Sequence, residues 1–222
     1  MARPAKKHIK FAGHDIDLYS NAALHLTEYN VLVISDINLE KPNDFMTPSF
    51  CSFDEKTQDT LSLLEGFANE IKPEKIIILG DIFHDSQAFE RMSLPNMDRL
   101  YRFFREYKIV WVEGHHNDAF SPPGADLRIE YAYLNLNFRH IASDKEDFEI
   151  SGNYNPCYQN VPGTQNLSRC FITDKTKLVV PSFNCNARAI NINEPVIQTL
   201  FSGRQRVFPL DNNQIQALSH HG

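Results

Sequence analysis

A chain of 222 residues with 42% apolar and 11% aromatic side chains carries enough hydrophobic material for a substantial core, which excludes a disordered protein. Its net charge of −6 excludes a general nucleic-acid coat, though not a phosphate substrate, because bound metal ions reverse the local sign. Cys51, Cys157, Cys170 and Cys185 form no CxxC pair and read as reduced thiols, and no run approaches a membrane span. With no apolar stretch after the basic Arg3, Lys6 and Lys7, the expectation is a soluble cytoplasmic protein without a membrane partner.

In chain order, residues 1–8 read as a flexible basic tail. Ile9 to Leu18 alternates about a turn at Gly13-His14 and predicts a hairpin at a sheet edge. Val31 to Asp36, VLVISD, is a short buried strand that stops at a carboxylate. Lys41 to Phe53 carries two prolines and no helical period, so it is a loop. Asp54 is placed to cap a helix through about Ile71, with Leu61, Leu64, Ala68 and Ile71 on one face and Pro73 as the stop. Lys75 to Asp85, KIIILGDIFHD, is a second buried strand that ends at a glycine and acids. Ser93 caps a helix to about Tyr107 that turns Leu100, Phe103 and Phe104 inward. Ile109 to His116, IVWVEGHH, is a third strand of the same shape.

This β-α-β-α-β order implies parallel strands with right-handed crossovers. Ligands bind outside the carboxyl ends of such strands, so Asp36, Asp81 and His115/His116 are predicted to share one polar site. After Pro123 the pattern changes to short strands at Arg128–His140, Phe148–Ser151, Cys170–Thr173, Lys177–Val180 and Arg206–Leu210. Asp174-Lys175-Thr176 reads as a hairpin tip, and residues 213–222 read as a frayed end. With no long linker and no repeat, the expectation is one α/β domain over residues 1–222, with two sheets packed face to face and helices outside.

Read for chemistry, the chain presents Asp36-Ile37-Asn38, Gly80-Asp81 with His84-Asp85, Gly114-His115-His116-Asn117, His140, and Gly152-Asn153-Tyr154-Asn155. This order resembles the calcineurin-like metallophosphoesterases, whose pattern runs DxH, GDxxD, GNH(D/E), a lone H and GHxH. The finer text, SDINLEK, LGDIFHD, WVEGHHND, FRHIA, ISGNYNPCY, RCFITDKTKLVVPSFN and RVFPL, is similar to the bacterial branch that includes ligase-associated DNA-damage-response phosphodiesterases. The resemblance spans roughly Ile9 to Leu210. It implies a four-layer αββα sandwich, the metallo-dependent phosphatase fold. It also implies a phosphate-ester substrate hydrolysed by metal-activated water, with nucleic acid as a partner and DNA repair as a setting on resemblance alone.

Carried over by the resemblance, Asp81 bridges two metal positions, Asp36 belongs to the first and His140 to the second. His116 takes the catalytic place beside the leaving group. Apart from the carry-over, His84 and Asp85 read as neighbours or supports of the ligands, with a helix cap as the competing reading for Asp85. Four positions depart from the pattern. Asn38, Asn153 and Asn155 replace histidines, and His115 replaces an asparagine. The first position thus keeps Asp36 and Asp81 beside two weak amides, Asn38 and Asn155. The second has Asp81, His115 and His140, with Asn153 as a weak fourth. Two imidazoles and a carboxylate suit a transition metal. The cofactor expected is a divalent ion, manganese first, then magnesium, iron or zinc, at one or two per chain. A plain turn is the competing reading for Asn153 and Asn155. The alternative function is a catalytically impaired or non-catalytic protein of the same fold that serves as a binding or scaffold partner.

Overall fold

The computed structural model describes residues 3–41, 53–115, 122–159, 167–183, 189–211 and 213–220. The chain opens with β1 (Lys6–Phe11) and β2 (His14–Tyr19), followed by β3 (Leu24–Leu26) and β4 (Val31–Ser35). After α1 (Phe53–Ile71) come β5 (Lys75–Gly80), the single-turn α2 (Ala88–Arg91), α3 (Leu94–Glu106), β6 (Ile109–Glu113) and β7 (Ala125–Arg128). These seven strands form one sheet in the order β1-β2-β3-β4-β5-β6-β7, antiparallel through β4 and parallel from β4 to β7.

The second sheet begins with β8 (Glu130–Tyr133), β9 (Leu136–Arg139), β10 (Glu149–Ser151), β11 (Pro156–Gln159), β12 (Leu167–Thr173) and β13 (Lys177–Val179). It continues with β14 (Ile190–Asn191), the single-turn α4 (Pro195–Gln198), β15 (Gln205–Asp211), β16 (Gln214–Ile215) and β17 (Leu218–His220). Its order is β14-β11-β12-β13-β10-β9-β8, with β15 paired to β12 and with β16 and β17 paired to β15. Both sheets are mixed, since β10 runs parallel to β9 and β13 while β12 runs antiparallel to β13.

Why the central strands are apolar without alternation follows from their neighbours. Leu32, Ile34, Ile76, Ile78, Ile109 and Trp111 face α1 and α3, meeting Leu61, Leu64, Leu100 and Phe104. The residues between them, Val33, Ile77, Leu79, Val110 and Val112, point the other way and meet Phe138, Ile150, Phe171 and Leu178 of the second sheet. A strand covered on both faces has no water side and therefore no polar alternation. The outer face of the second sheet is thinner. Cys170, Ile172, Val179 and Val207 are covered by Ile197 of α4 and by Phe201. The architecture is thus two mixed sheets face to face, with the longer helices on one side, in agreement with the α/β sandwich expected.

Several local expectations shift. Lys6–His8, read as part of a tail, are the first half of β1, where Lys6 and His8 bond to Asp17 of β2. Gln214–Ile215 and Leu218–His220, read as a frayed end, are strands paired to β15. Asp54 lies inside α1, which starts at Phe53; its carboxylate accepts from Asn96 Nδ2 at 2.8 Å and ties α1 to α3. Ser93 stands at the N-cap position of α3, but its side chain makes no capping hydrogen bond. The stretch from Arg128 to His140 divides between the sheets: Arg128 ends β7 of the first, while β8 and β9 open the second.

Candidate metal centre

The carboxyl ends of β4, β5 and β6 lie side by side, with Ser35 beside Leu79 and Gly80 beside Glu113. The residues that follow each strand are therefore delivered to one sheet edge. The end of β9 comes to the same place from the second sheet. Asp81, His115 and His140 gather there, each offering one ligand atom, with all three atoms within 4.8 Å of one another. The rings of His115 and His140 meet edge to face at 4.9 Å. Asp81 and His140 are buried and His115 is exposed, so the trio opens to solvent on the His115 side.

Two glycines make this convergence possible. Gly80 has φ +86, and a Cβ there would sit 2.5 Å from both Asp36 Oδ1 and His140 Nε2. A Cβ at Gly114 would lie 2.7 Å from the Asp81 carboxyl carbon. Any larger residue would push two of the site's side chains out of place.

Asp36 lies against the cluster in a left-handed conformation, φ 44. Its Oδ1 accepts the Asp81 amide at 3.2 Å and lies 3.1 Å from His140 Nε2. Its Oδ2 accepts the Asn153 amide at 2.9 Å and the Ser35 hydroxyl. The Asp36 carbonyl accepts the Ser182 hydroxyl at 2.7 Å and the Asn38 side-chain amide at 3.1 Å. Asn38, Asn153 and Asn155 also hold positive φ, at 49, 67 and 39. Asparagine is among the few residues that adopt this region at low cost. Asn155 is 2% exposed and its Oδ1 accepts the Ser182 amide at 3.1 Å. Two of the three asparagines therefore spend side-chain atoms on the backbone around Asp36.

The support behind His140 is ionic. The Arg139 guanidinium donates to Glu130 at 2.9 Å, to Asp147 at 2.9 and 3.1 Å, and to Glu149 at 2.6 Å. Burial opposes the Arg139 charge, but the bonds to Asp147, Glu130 and Glu149 outweigh it, so its pKa stands above the ordinary arginine value. Glu149 is fully buried and also accepts from the Ser143 amide and hydroxyl. The Gly152 amide donates to the carbonyls of Arg139 and His140, joining the His140 segment to the Asn153–Asn155 turn.

Elsewhere, Asp85 gives both carboxylate oxygens to Arg91, at 2.8 and 2.7 Å, and accepts the Gln87 amide at 2.9 Å. Bonding to Arg91 holds its carboxyl below the usual aspartate value. His84 follows the bridge between Leu39 and Phe83, and its amide donates to the Leu39 carbonyl at 3.0 Å. His116 lies outside the described residues. Ser35 and Ser182 escaped the sequence reading. The one available signal is that Ser182 follows the apolar run Lys177–Val180, a fourth strand ending at a polar residue, and it bridges to Ser35 across the two sheets.

Residues 29–189, more than half of the chain, match the family model described as calcineurin-like phosphoesterase. Among solved structures, the crystal structure of Pseudomonas putida nuclease MPE superposes with a TM-score of 0.72. That match covers 96% of this chain and 100% of that one at 17% sequence identity, which speaks to the fold. No curated protein matches the sequence. Among the described residues no helix is long and apolar enough to cross a membrane.

Proposed function

Because the chain belongs to the calcineurin-like phosphoesterase family, we propose that it is a metal-dependent phosphodiesterase that acts on nucleic acid through one divalent ion held by Asp81, His115 and His140. The observation that carries this reading is the trio itself. Two imidazoles and a carboxylate with ligand atoms within 4.8 Å form a donor set that fits one transition ion. Manganese is the first candidate, with iron, zinc and magnesium behind it. A bound divalent ion polarises a phosphate and lowers the pKa of a water. The chain's own part is to hold the donors rigidly. Gly80 lets His140 approach Asp36, Gly114 lets the third strand end approach Asp81, and the exposed His115 side leaves an approach for a phosphodiester. The nucleic-acid assignment is supported by the fold shared with a bacterial nuclease. With the histidines of the intact pattern replaced by Asn38, Asn153 and Asn155, a second ion is not held, and turnover lies far below that of a two-metal relative.

The test is hydrolysis of bis-p-nitrophenyl phosphate and of single- and double-stranded DNA by the purified chain, after chelation and after return of Mn²⁺. Asp81→Asn is expected to lower turnover by more than about 100-fold, since even partners one shell removed from a metal cost 10 to 100-fold. Equal turnover in wild type and variant assigns the activity to a contaminant. No turnover in wild type with Mn²⁺ supports the scaffold alternative instead.

A further inference from the structure

Resting on the one-ion reading above, we infer that Asp36 is a positioning residue, a carboxylate that orients the His140 ring toward the ion and does not ligate the ion itself. Both of its oxygens are met by donors from separate parts of the fold. Oδ1 takes the Asp81 amide and the His140 ring, and Oδ2 takes the Asn153 amide and the Ser35 hydroxyl. Two of these are backbone amides, one following β5 and one following β10, so both sheets fix the carboxylate. A carboxylate with two amides, a hydroxyl and an imidazole already in place has its lone-pair directions filled. The backbone is equally fixed. The left-handed φ of Asp36 is held by Ser182 and Asn38 on its carbonyl, and its amide donates to the Leu79 carbonyl at 2.9 Å.

The contact with His140 has a direction. A carboxylate only accepts, so the proton in the 3.1 Å contact sits on His140 Nε2. In that tautomer Nδ1 would be the nitrogen offered to an ion. A metal-bound histidine that gives its second N–H to a carboxylate is fixed in tautomer and ring angle and becomes a better donor. Asp36 meets the trio through His140, one of its three members. The same arrangement accounts for the asparagines. Asn38 donates to the Asp36 carbonyl, and Asn155 accepts the amide of Ser182, whose hydroxyl donates to that same carbonyl.

The experiment is titration of the metal-free full chain with Co²⁺, read by calorimetry and by the visible absorption of the bound ion, for wild type, Asp36→Asn, His140→Ala and Ser35→Ala. In Asp36→Asn one ion still binds, the Co²⁺ bands keep the positions and intensity of an unchanged ligand number, and affinity falls about 10 to 100-fold. In His140→Ala the affinity loss is larger and the spectrum changes. Ser35→Ala, which removes one donor to Oδ2, loses affinity several-fold with an unaltered spectrum. Asp36→Asn with wild-type affinity, or with a spectrum showing a lost ligand, overturns the inference while leaving the one-ion reading intact. His140→Ala with wild-type affinity overturns the one-ion reading itself. If Asp36→Asn does not fold, Ser35→Ala decides: a several-fold loss supports the inference, and no change overturns it.

Discussion

The two halves of the centre sit at the same strand ends and are built from similar residue types, yet on the one-ion reading proposed above they are put to different uses. On one half, Asp81, His115 and His140 bring three ligand atoms within 4.8 Å, and one of the three faces solvent. On the other, Asp36, Asn38 and Asn155 direct side-chain atoms at amides, hydroxyls and carbonyls of the protein. Buried polar groups must be paired, and the second half is paired by the fold itself. On the one-ion reading proposed above, convergence of polar side chains at a sheet edge does not by itself make a metal site.

The largest effect is expected behind His140. Arg139→Met leaves Glu149, fully buried, without its cation, and removal of one partner of a buried ion pair costs roughly 3–5 kcal/mol. Urea denaturation is expected to show that loss, and metal affinity of the folded fraction is expected to fall with it, because β9 and β10 no longer hold His140 against the Gly152 turn. Loss of stability with unchanged affinity separates the ionic support from the centre.

Asn155→Ala probes the protein-satisfied half. It strands the Ser182 amide in a buried slot, at a cost of about 1–3 kcal/mol, and asks alanine to hold a positive φ at a further cost of ~1 kcal/mol. The expected signature is lower stability with one ion still bound. Complete loss of ion binding would make Asn155 part of the ligand half.

The smallest effect is acid sensitivity. Hydrogen bonding to Arg139 holds the Asp147 carboxyl below its ordinary value. A carboxyl depressed on folding contributes stability above its unfolded pKa of about 3.9, and that contribution is lost as pH falls through the lower folded value. Between pH 5 and pH 2, wild type is expected to lose more stability than Asp147→Asn in matched thermal melts. Parallel losses would show that Asp147 carries none of this linkage.

Much of this layout is legible in the sequence, for physical reasons that also explain the gaps. The runs VLVIS, KIIILG and IVWVE declare buried parallel strands because both of their faces are covered, and their endings place Asp36, Asp81 and His115 on one edge. The amphipathic spacing of Leu61, Leu64 and Ala68, and of Leu100, Phe103 and Phe104, marks the helices that supply the cover. Leu24–Leu26, Ile190–Asn191 and Leu218–His220 were missed because two or three residues are too few to show a period; they are strands only by virtue of their neighbours. The hydrogen-bond work of Ser35 and Ser182 has no sequence signature, since a serine after a strand reads equally as a turn. The turn reading of Asn153 and Asn155 draws support from their positive φ, which neither composition nor motif order reveals.

The most direct measurement of the central claim is metal stoichiometry in the purified wild-type chain, by elemental analysis after dialysis against Mn²⁺ and by calorimetric titration of the stripped protein. About one ion per chain is expected, lost in Asp81→Asn and in His140→Ala. Two tightly held ions per chain would contradict it by making the Asp36–Asn38–Asn155 half a working metal position. No binding at millimolar Mn²⁺ would contradict it from the other side, leaving a phosphoesterase fold without a metal centre.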